Sequence, residues 1–311
     1  MHEPRGRRAR ALRRAAFAAL AFTAAAGAGA QTIDDGLMMP RRQFCTGFVY
    51  AHDAWDRYWE GTLERGNGNV GTLTTQSVSW MGTYGVTDRL NVIAMLPWVT
   101  TGASRGVMSG LSGLQDATVA VKWTALQAPL TSRGTLRAFA VASAGAPVSD
   151  YTPDFLPMSI GLHSRRAAAR ATLNWESEPG LFVEGTGSYT WRGNVTLNRD
   201  AYYDGEHLVM SNEVAMPDVI DYTFRVGYWK HGLYVPVSFT QQITAGGYDI
   251  RRQDAPFVSN RMNFSRVDVV AAYYLKSPRF VFRAGVSRIV SGRNVGKSTA
   301  VQAGILYTFH F

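Results

Sequence analysis

The chain is poor in the features that usually announce a function. It has a single cysteine, Cys45, in 311 residues, so no intrachain disulfide can staple it. A lone thiol is either reactive or packed on a strand, and the packed reading is preferred. Long apolar runs are also missing. After residue 30 no stretch approaches the ~20 apolar residues of a membrane helix. Hydropathy alone would therefore class the chain as soluble, but a hydropathy window does not register strands that alternate. The formal charge is +9. Residues 1–30 hold six Arg and one acid, which accounts for +5, and the remaining +4 is too little to argue for nucleic acid.

The two ends of the sequence are more informative. Arg5, Arg7, Arg8, Arg10, Arg13 and Arg14 form a basic stretch, Ala15 to Ala25 an apolar one, and Ala28-Gly29-Ala30 a small-x-small site before Gln31. This is the pattern of a secretory signal peptide over 1–30, with an apolar run too short and alanine-rich to anchor in a bilayer. At the other end Ile305, Tyr307, Phe309 and Phe311 alternate with other residues, and the chain stops on an aromatic. Chain ends usually fray. A strand facing lipid on one side, with an aromatic girdle at its end, needs this period instead. The ending resembles the C-terminal signature of bacterial outer-membrane barrels, which implies that the barrel-assembly machinery reads Phe311.

Twelve alternating segments follow the leader: 42–50, 71–84, 89–99, 115–126, 135–145, 164–175, 181–191, 219–230, 233–243, 264–275, 280–290 and 300–311. Most have the length a tilted strand needs to cross a bilayer. In the fourth, Val119, Val121 and Trp123 oppose Asp116, Thr118, Lys122 and Thr124. In the eighth, Ile220, Tyr222, Phe224 and Val226 oppose Asp221, Thr223 and Arg225. Short turns are expected at Gly85 to Asp88, Ala128 to Gly134, Glu176 to Gly180, His231-Gly232 and Lys276 to Arg279, with long loops after every odd-numbered strand, the eleventh included. The expectation is an all-β fold: a single antiparallel transmembrane β-barrel of twelve strands over 31–311. Both termini would be periplasmic, and the twelfth strand would close on the first near Phe44 to Tyr50. A soluble barrel would instead turn its apolar face inward.

Twelve strands ~4.8 Å apart and tilted ~40° make a backbone cylinder roughly 24 Å across, half filled by side chains. That suits a narrow pore, a plugged channel or an enclosed site. Charge is costly on the lipid face, so the lumen is expected to receive Lys122, Arg137, Arg166, Arg170, Arg225, Arg266 and Arg283, with Asp116, Glu184, Asp221 and Asp268. Seven bases against four acids either draw in anions or brace the barrel as ion pairs, and the interspersed acids favour bracing. Arg165 and Arg288 have outward parity near the loop ends, where lipopolysaccharide phosphates or plain solvent would meet them. Trp55, Tyr58, Trp59, Glu60, Tyr202, Tyr203 and Asp204 fall in the long loops, either as a vestibule or as self-packed loops.

Several motifs fail on context. Gly66 to Gly71 matches G-x-G-x-x-G but lacks the strand before and the helix after, and Gly292 to Ser298 is one residue short of a P-loop. Asn194-Val195-Thr196 is a sequon without consequence here. Some twelve-stranded outer-membrane enzymes place His and Ser two apart on one strand face. Here His163 and Ser164 are adjacent and point to opposite sides, so no catalytic triad forms. No metal or cofactor is implied.

Tyr84-Gly85-Val86-Thr87-Asp88-Arg89-Leu90, then Leu96-Pro97-Trp98-Val99, resembles the Tyr-Gly-x-Thr-Asp … Leu-Pro hairpin of the outer-membrane family named for the MetA pathway of phenol degradation. Gly113 to Trp123 resembles that family's next strand, with Gln115 in place of its second Gly and Trp123 in place of its Tyr. Beyond residue 135 only the pattern matches. The resemblance implies a barrel in the bacterial outer membrane and a role in transporting hydrophobic or aromatic compounds, and it carries over no binding residues. The expected function is a channel or binding barrel for small hydrophobic, aromatic or anionic solutes, in contact with outer-membrane lipids and lipopolysaccharide. A structural or adhesive barrel with a plugged lumen is the alternative, and a lipid-acting barrel enzyme a more remote one.

Overall fold

A computed structural model of the chain describes residues 32–203, 207–250, 257–275 and 279–311. The expected leader, Asp204 and the turn residues from Lys276 lie outside the described residues. Twelve long strands carry the fold: β1 (Gln43–Trp55), β2 (Leu73–Thr87), β3 (Leu90–Ala103), β4 (Asp116–Thr131), β5 (Gly134–Pro147), β6 (Arg166–Ser177), β7 (Leu181–Arg192), β8 (Asp218–Lys230), β9 (Leu233–Ala245), β10 (Asn263–Tyr274), β11 (Phe280–Arg293) and β12 (Thr299–His310). Each pairs antiparallel with its neighbours in sequence, and β12 returns to β1 in the register Phe44↔Phe309 to Ala54↔Thr299. The sheet has no open edge, which a barrel in lipid requires because no water is there to satisfy a bare strand.

The alternation is inverted relative to a soluble barrel. Along β4 the residues Asp116, Thr118, Ala120, Lys122 and Thr124 are buried, while Val119, Val121 and Trp123 are exposed. The outward residues elsewhere are also large and apolar: Phe48, Tyr222, Phe224, Phe239, Phe282 and Ile305 are all exposed. That belt belongs against hydrocarbon, where exposing it costs nothing. Among the described residues no helix is long and apolar enough to cross a membrane, and the crossing is made by strands.

The strands run past the expected bounds, mostly at the loop end. β1 continues to Trp55 and β3 to Ala103. At the opposite end β4 reaches Thr131. The turn expected at Gly85 to Asp88 shrinks to Asp88-Arg89, because pairing continues through a bulge to Thr87↔Leu90. The long loop expected after the eleventh strand is only 294–298, because β11 and β12 begin or end several residues closer together. The barrel outgrows the bilayer, and outside lipid the alternation loses its selective reason and fades from the sequence. The loops pack on themselves. Arg57–Glu60 pairs with Leu63–Gly66 and buries Trp59, while Tyr202–Tyr203 pairs with Leu208–Val209.

Candidate functional site: the lumen and the segment inside it

Residues 32–40, ahead of β1, run inside the barrel. Asp35 organises this segment: its carboxylate accepts hydrogen bonds from the Thr32 amide (2.6 Å), the Thr32 hydroxyl (3.0 Å) and the Leu37 amide (3.1 Å). Its other contact is Lys122 of β4, which is fully buried. An ammonium carries three donors. Lys122 Nζ donates to Thr32 O (3.1 Å), Asp35 O (2.5 Å) and Asp35 Oδ1 (2.9 Å), so all three are met. Phe139 lies below the same charge, its ring centroid 5.4 Å away. A buried cation is tolerable only when paired and hydrogen-bonded in this way.

The rest of the segment is tied to the same side of the barrel. Arg170 of β6 forms an ion pair with Asp34 and donates to Ile33 O (3.4 Å). Arg225 of β8 donates to Asp34 O (2.6 Å) and pairs with Glu184 of β7, which also accepts from Asn174 (3.2 Å). Ile33 packs on Ile93, Ala120 and Val141. Gly36 passes so close that a Cβ there would sit 2.5 Å from Glu184 Oε2 and 2.7 Å from Asn174 Nδ2. At the end where the short turns lie, Met39 is completely buried in a cluster with Cys45, Phe182, Tyr234, Tyr274, Val281 and Leu306. The segment thus leans on β3–β8 and its tail stoppers the turn end. Cys45 is part of that stopper.

The other side of the lumen stays open. A cavity of about 310 Å³ runs beside the segment, lined mainly from β8 to β12. Of the sequence-expected lumen residues, Arg170, Asp221, Arg225, Arg266, Asp268 and Arg283 line it. Lys122 and Glu184 lie behind the segment. Arg137 is away from the cavity, paired with Glu176 (2.6 Å), and Arg166 pairs with Asp116 (3.0 Å) at the loop end. On the cavity wall Arg266 pairs with Asp268 (2.9 Å), and Asp221 accepts from Ser188 (3.3 Å). The acids Asp34 and Asp35 escaped sequence reasoning, because they sit ahead of the first alternating run and nothing local marks them as facing inward.

The loop end carries two polar clusters. Over β4 and β6, the Tyr151 hydroxyl donates to Asp116 Oδ1 (2.5 Å) and accepts from the His163 amide (2.8 Å); burial and the carboxylate together push the Tyr151 phenol up. Over β11, Arg293 donates two bonds to Asp249 (2.7 and 2.5 Å), Asn294 adds a third (2.8 Å), and the guanidinium holds the Asp249 carboxyl below the usual carboxylate range. Next to it an apolar chamber of about 420 Å³ is lined by Trp55, Tyr58, Leu73, Leu156, Ile250 and Met262, among others. Ser164 donates to Gly193 O (2.7 Å), not to a base. Among the described residues no group of His, Cys, Asp and Glu could hold a metal ion.

No protein-family model matches the sequence, and no curated protein does. Among solved structures the chain is similar to the COG4313 outer membrane channel from Pseudomonas putida F1, at 15% identity with a TM-score of 0.68, over 89% of this chain and 100% of that one. The NanC porin (10% identity, TM-score 0.44, 83% and 98% covered) and the CymD monoaromatic hydrocarbon channel (11%, 0.39, 88% and 89%) are matched too distantly to carry an argument. The first likeness settles the architecture: the chain has the fold of a bacterial outer-membrane β-barrel.

Proposed function

We propose that the barrel is an outer-membrane channel or binding barrel for small molecules, of the type named for the MetA pathway of phenol degradation. The observation that carries this reading is the lumen. A braced segment fills one side of it and leaves a side cavity lined by polar and charged groups. The hairpin motif at residues 84–99 and the strand at 113–123 support the finer family assignment. The termini belong in the periplasm on this reading and the long loops outside, where the exposed Arg165 and Arg288 would meet lipopolysaccharide phosphates. Phe311 would engage the barrel-assembly machinery. This reading assigns the barrel no enzymatic step, and it is supported by Ser164, whose hydroxyl donates to the Arg165 and Gly193 carbonyls and not to His163.

Single-channel recording of the refolded mature protein tests the proposal, with a panel of salts and aromatic acids. Solute-dependent conductance or block is expected. A bilayer silent across the whole panel would overturn the channel reading and favour the second one, a structural or adhesive barrel with a plugged lumen. That second reading draws on the stopper around Met39, which closes the turn end with apolar contacts.

A further inference from the structure

Four guanidinium groups line the side cavity, and three of them are committed. Arg170 holds Asp34, Arg225 holds Glu184 and the Asp34 carbonyl, and Arg266 holds Asp268 with its plane near the Phe264 ring (5.7 Å). Arg283 of β11 differs. Among the described residues it forms no ion pair, its Nε is covered by neighbouring protein atoms, and its two terminal nitrogens are left to meet whatever enters the cavity. A guanidinium is charged at any working pH and presents five donors in a fixed fork. No protein anion occupies this fork, so it stands free to pair with a negatively charged ligand in the cavity.

The surroundings restrict that partner. Arg283 lies in register with Ala272 on one side and Gly304 on the other. Both are small. A Cβ at 304 would come within 3.1 Å of Arg283 Cγ, so the glycine leaves room for the stem to lie across β12. Two residues further along the strands, Gln302 offers an amide, while Val270 and Pro236 give an apolar floor to the same cavity. Tyr234 is in register with Ala272 and stacks on Phe182 (5.4 Å), so it forms a fixed end wall. One planar fork with a neighbouring amide fits the two coplanar oxygens of a carboxylate. A phosphate dianion would need a second free cation, and the nearby ones are spent.

We propose that Arg283 is the anchor of a lumen site for small monocarboxylates with an apolar body, the carboxylate on Arg283 and Gln302 and the body over Val270 and Pro236. The inference gives a ligand class to the small-molecule reading above and rests on it. The site adds a preference for carboxylates to a cavity whose other cations are paired with wall acids or with the inner segment.

Benzoate is the probe. Calorimetric titration of the full mature protein in detergent micelles should show saturable benzoate binding, with benzamide, of equal shape and no charge, at least about tenfold weaker. Acetate should also be weaker, since it lacks the apolar body. Arg283→Gln should lose about tenfold or more in benzoate affinity, and Arg283→Lys, which keeps the charge and loses the fork, should fall between. The lysine variant carries the test where the glutamine variant fails to fold. Equal affinity in wild type and a folded R283Q barrel would overturn the site, as would benzoate and benzamide binding alike. Because binding is read without conductance, a silent bilayer with benzoate bound sinks the channel and keeps the site. Conductance with no benzoate binding does the reverse.

Discussion

The two sides of the lumen are built from the same kind of strand and do opposite things. On β3–β8 the inward cations are consumed by the chain itself: Lys122, Arg170 and Arg225 grip a backbone segment through carbonyls and acids. On β8–β12 the inward groups face a cavity, and their pairs are local, as in Arg266 with Asp268 two residues away on one strand. A charge in a barrel lumen therefore has no single meaning. Where a segment without its own secondary structure must be held, cations sit opposite its acids and carbonyls. Where a space must stay open, they neutralise one another or stand free.

The strongest way to break the contrast is to remove the segment. Deleting residues 32–40 should leave the barrel folded, since β1–β12 closure runs entirely from Gln43 onward. It should raise single-channel conductance severalfold, on the order of tenfold, as the occupied half of the lumen empties. Unchanged conductance would mean that the segment does not limit the path. Next in size is Lys122→Met. It leaves Asp35 buried at 6% exposure without its cation, and breaking one partner of such a pair costs about 3–5 kcal/mol. The loss should fall on the segment first, read as new protease cleavage within 32–42 before any change in barrel melting. Replacing both partners, Lys122→Met with Asp35→Leu, should recover most of the protection, because an apolar pair carries no unpaired charge.

What could be read in the sequence divides along the same line. The barrel was legible because lipid imposes one rule on every strand: Val119, Val121 and Trp123 must face out and Asp116, Lys122 and Thr124 must face in. The closure of the twelfth strand on the first near Phe44 to Tyr50 follows from the count, and the structure sets its register at Phe44↔Phe309. The inward-facing charges were legible as charges but not as partners. Nothing in the spacing of Asp34, Lys122, Arg170 and Arg225 brings them together, since more than 80 residues separate Lys122 from Asp35. The segment itself has no period to read. The loop-end strand extensions were missed for the reason already given, that the rule stops where lipid stops.

On the cavity side the expected effects are smaller. Arg266→Gln breaks a pair whose arginine side chain is 39% exposed. Solvent screens such a pair, so the stability cost should stay within about 1 kcal/mol. Chemical unfolding of the two barrels side by side checks it. A loss as large as that of Lys122→Met would erase the distinction between the two walls.

The smallest effect concerns pH and lies outside the membrane, where the loop of Asp249 is tied to the end of β11. The Arg293 fork and Asn294 hold the Asp249 carboxyl below its ordinary range. A depressed folded pKa means that the tie contributes fully above the unfolded carboxylate value of about 3.9 and is lost as pH falls through the lower folded value. From pH 8 to 5 the loop should therefore keep its protection. Loosening should begin only in strong acid, seen as faster hydrogen exchange at Ile250, whose amide bonds Asn294 Oδ1 (3.1 Å). Asp249→Asn should abolish that acid dependence and cost little at neutral pH, because both side chains are about one-third exposed and water competes for the pair. Loosening already at pH 6 would point to another titrating group and detach this loop from the account of the cavity side.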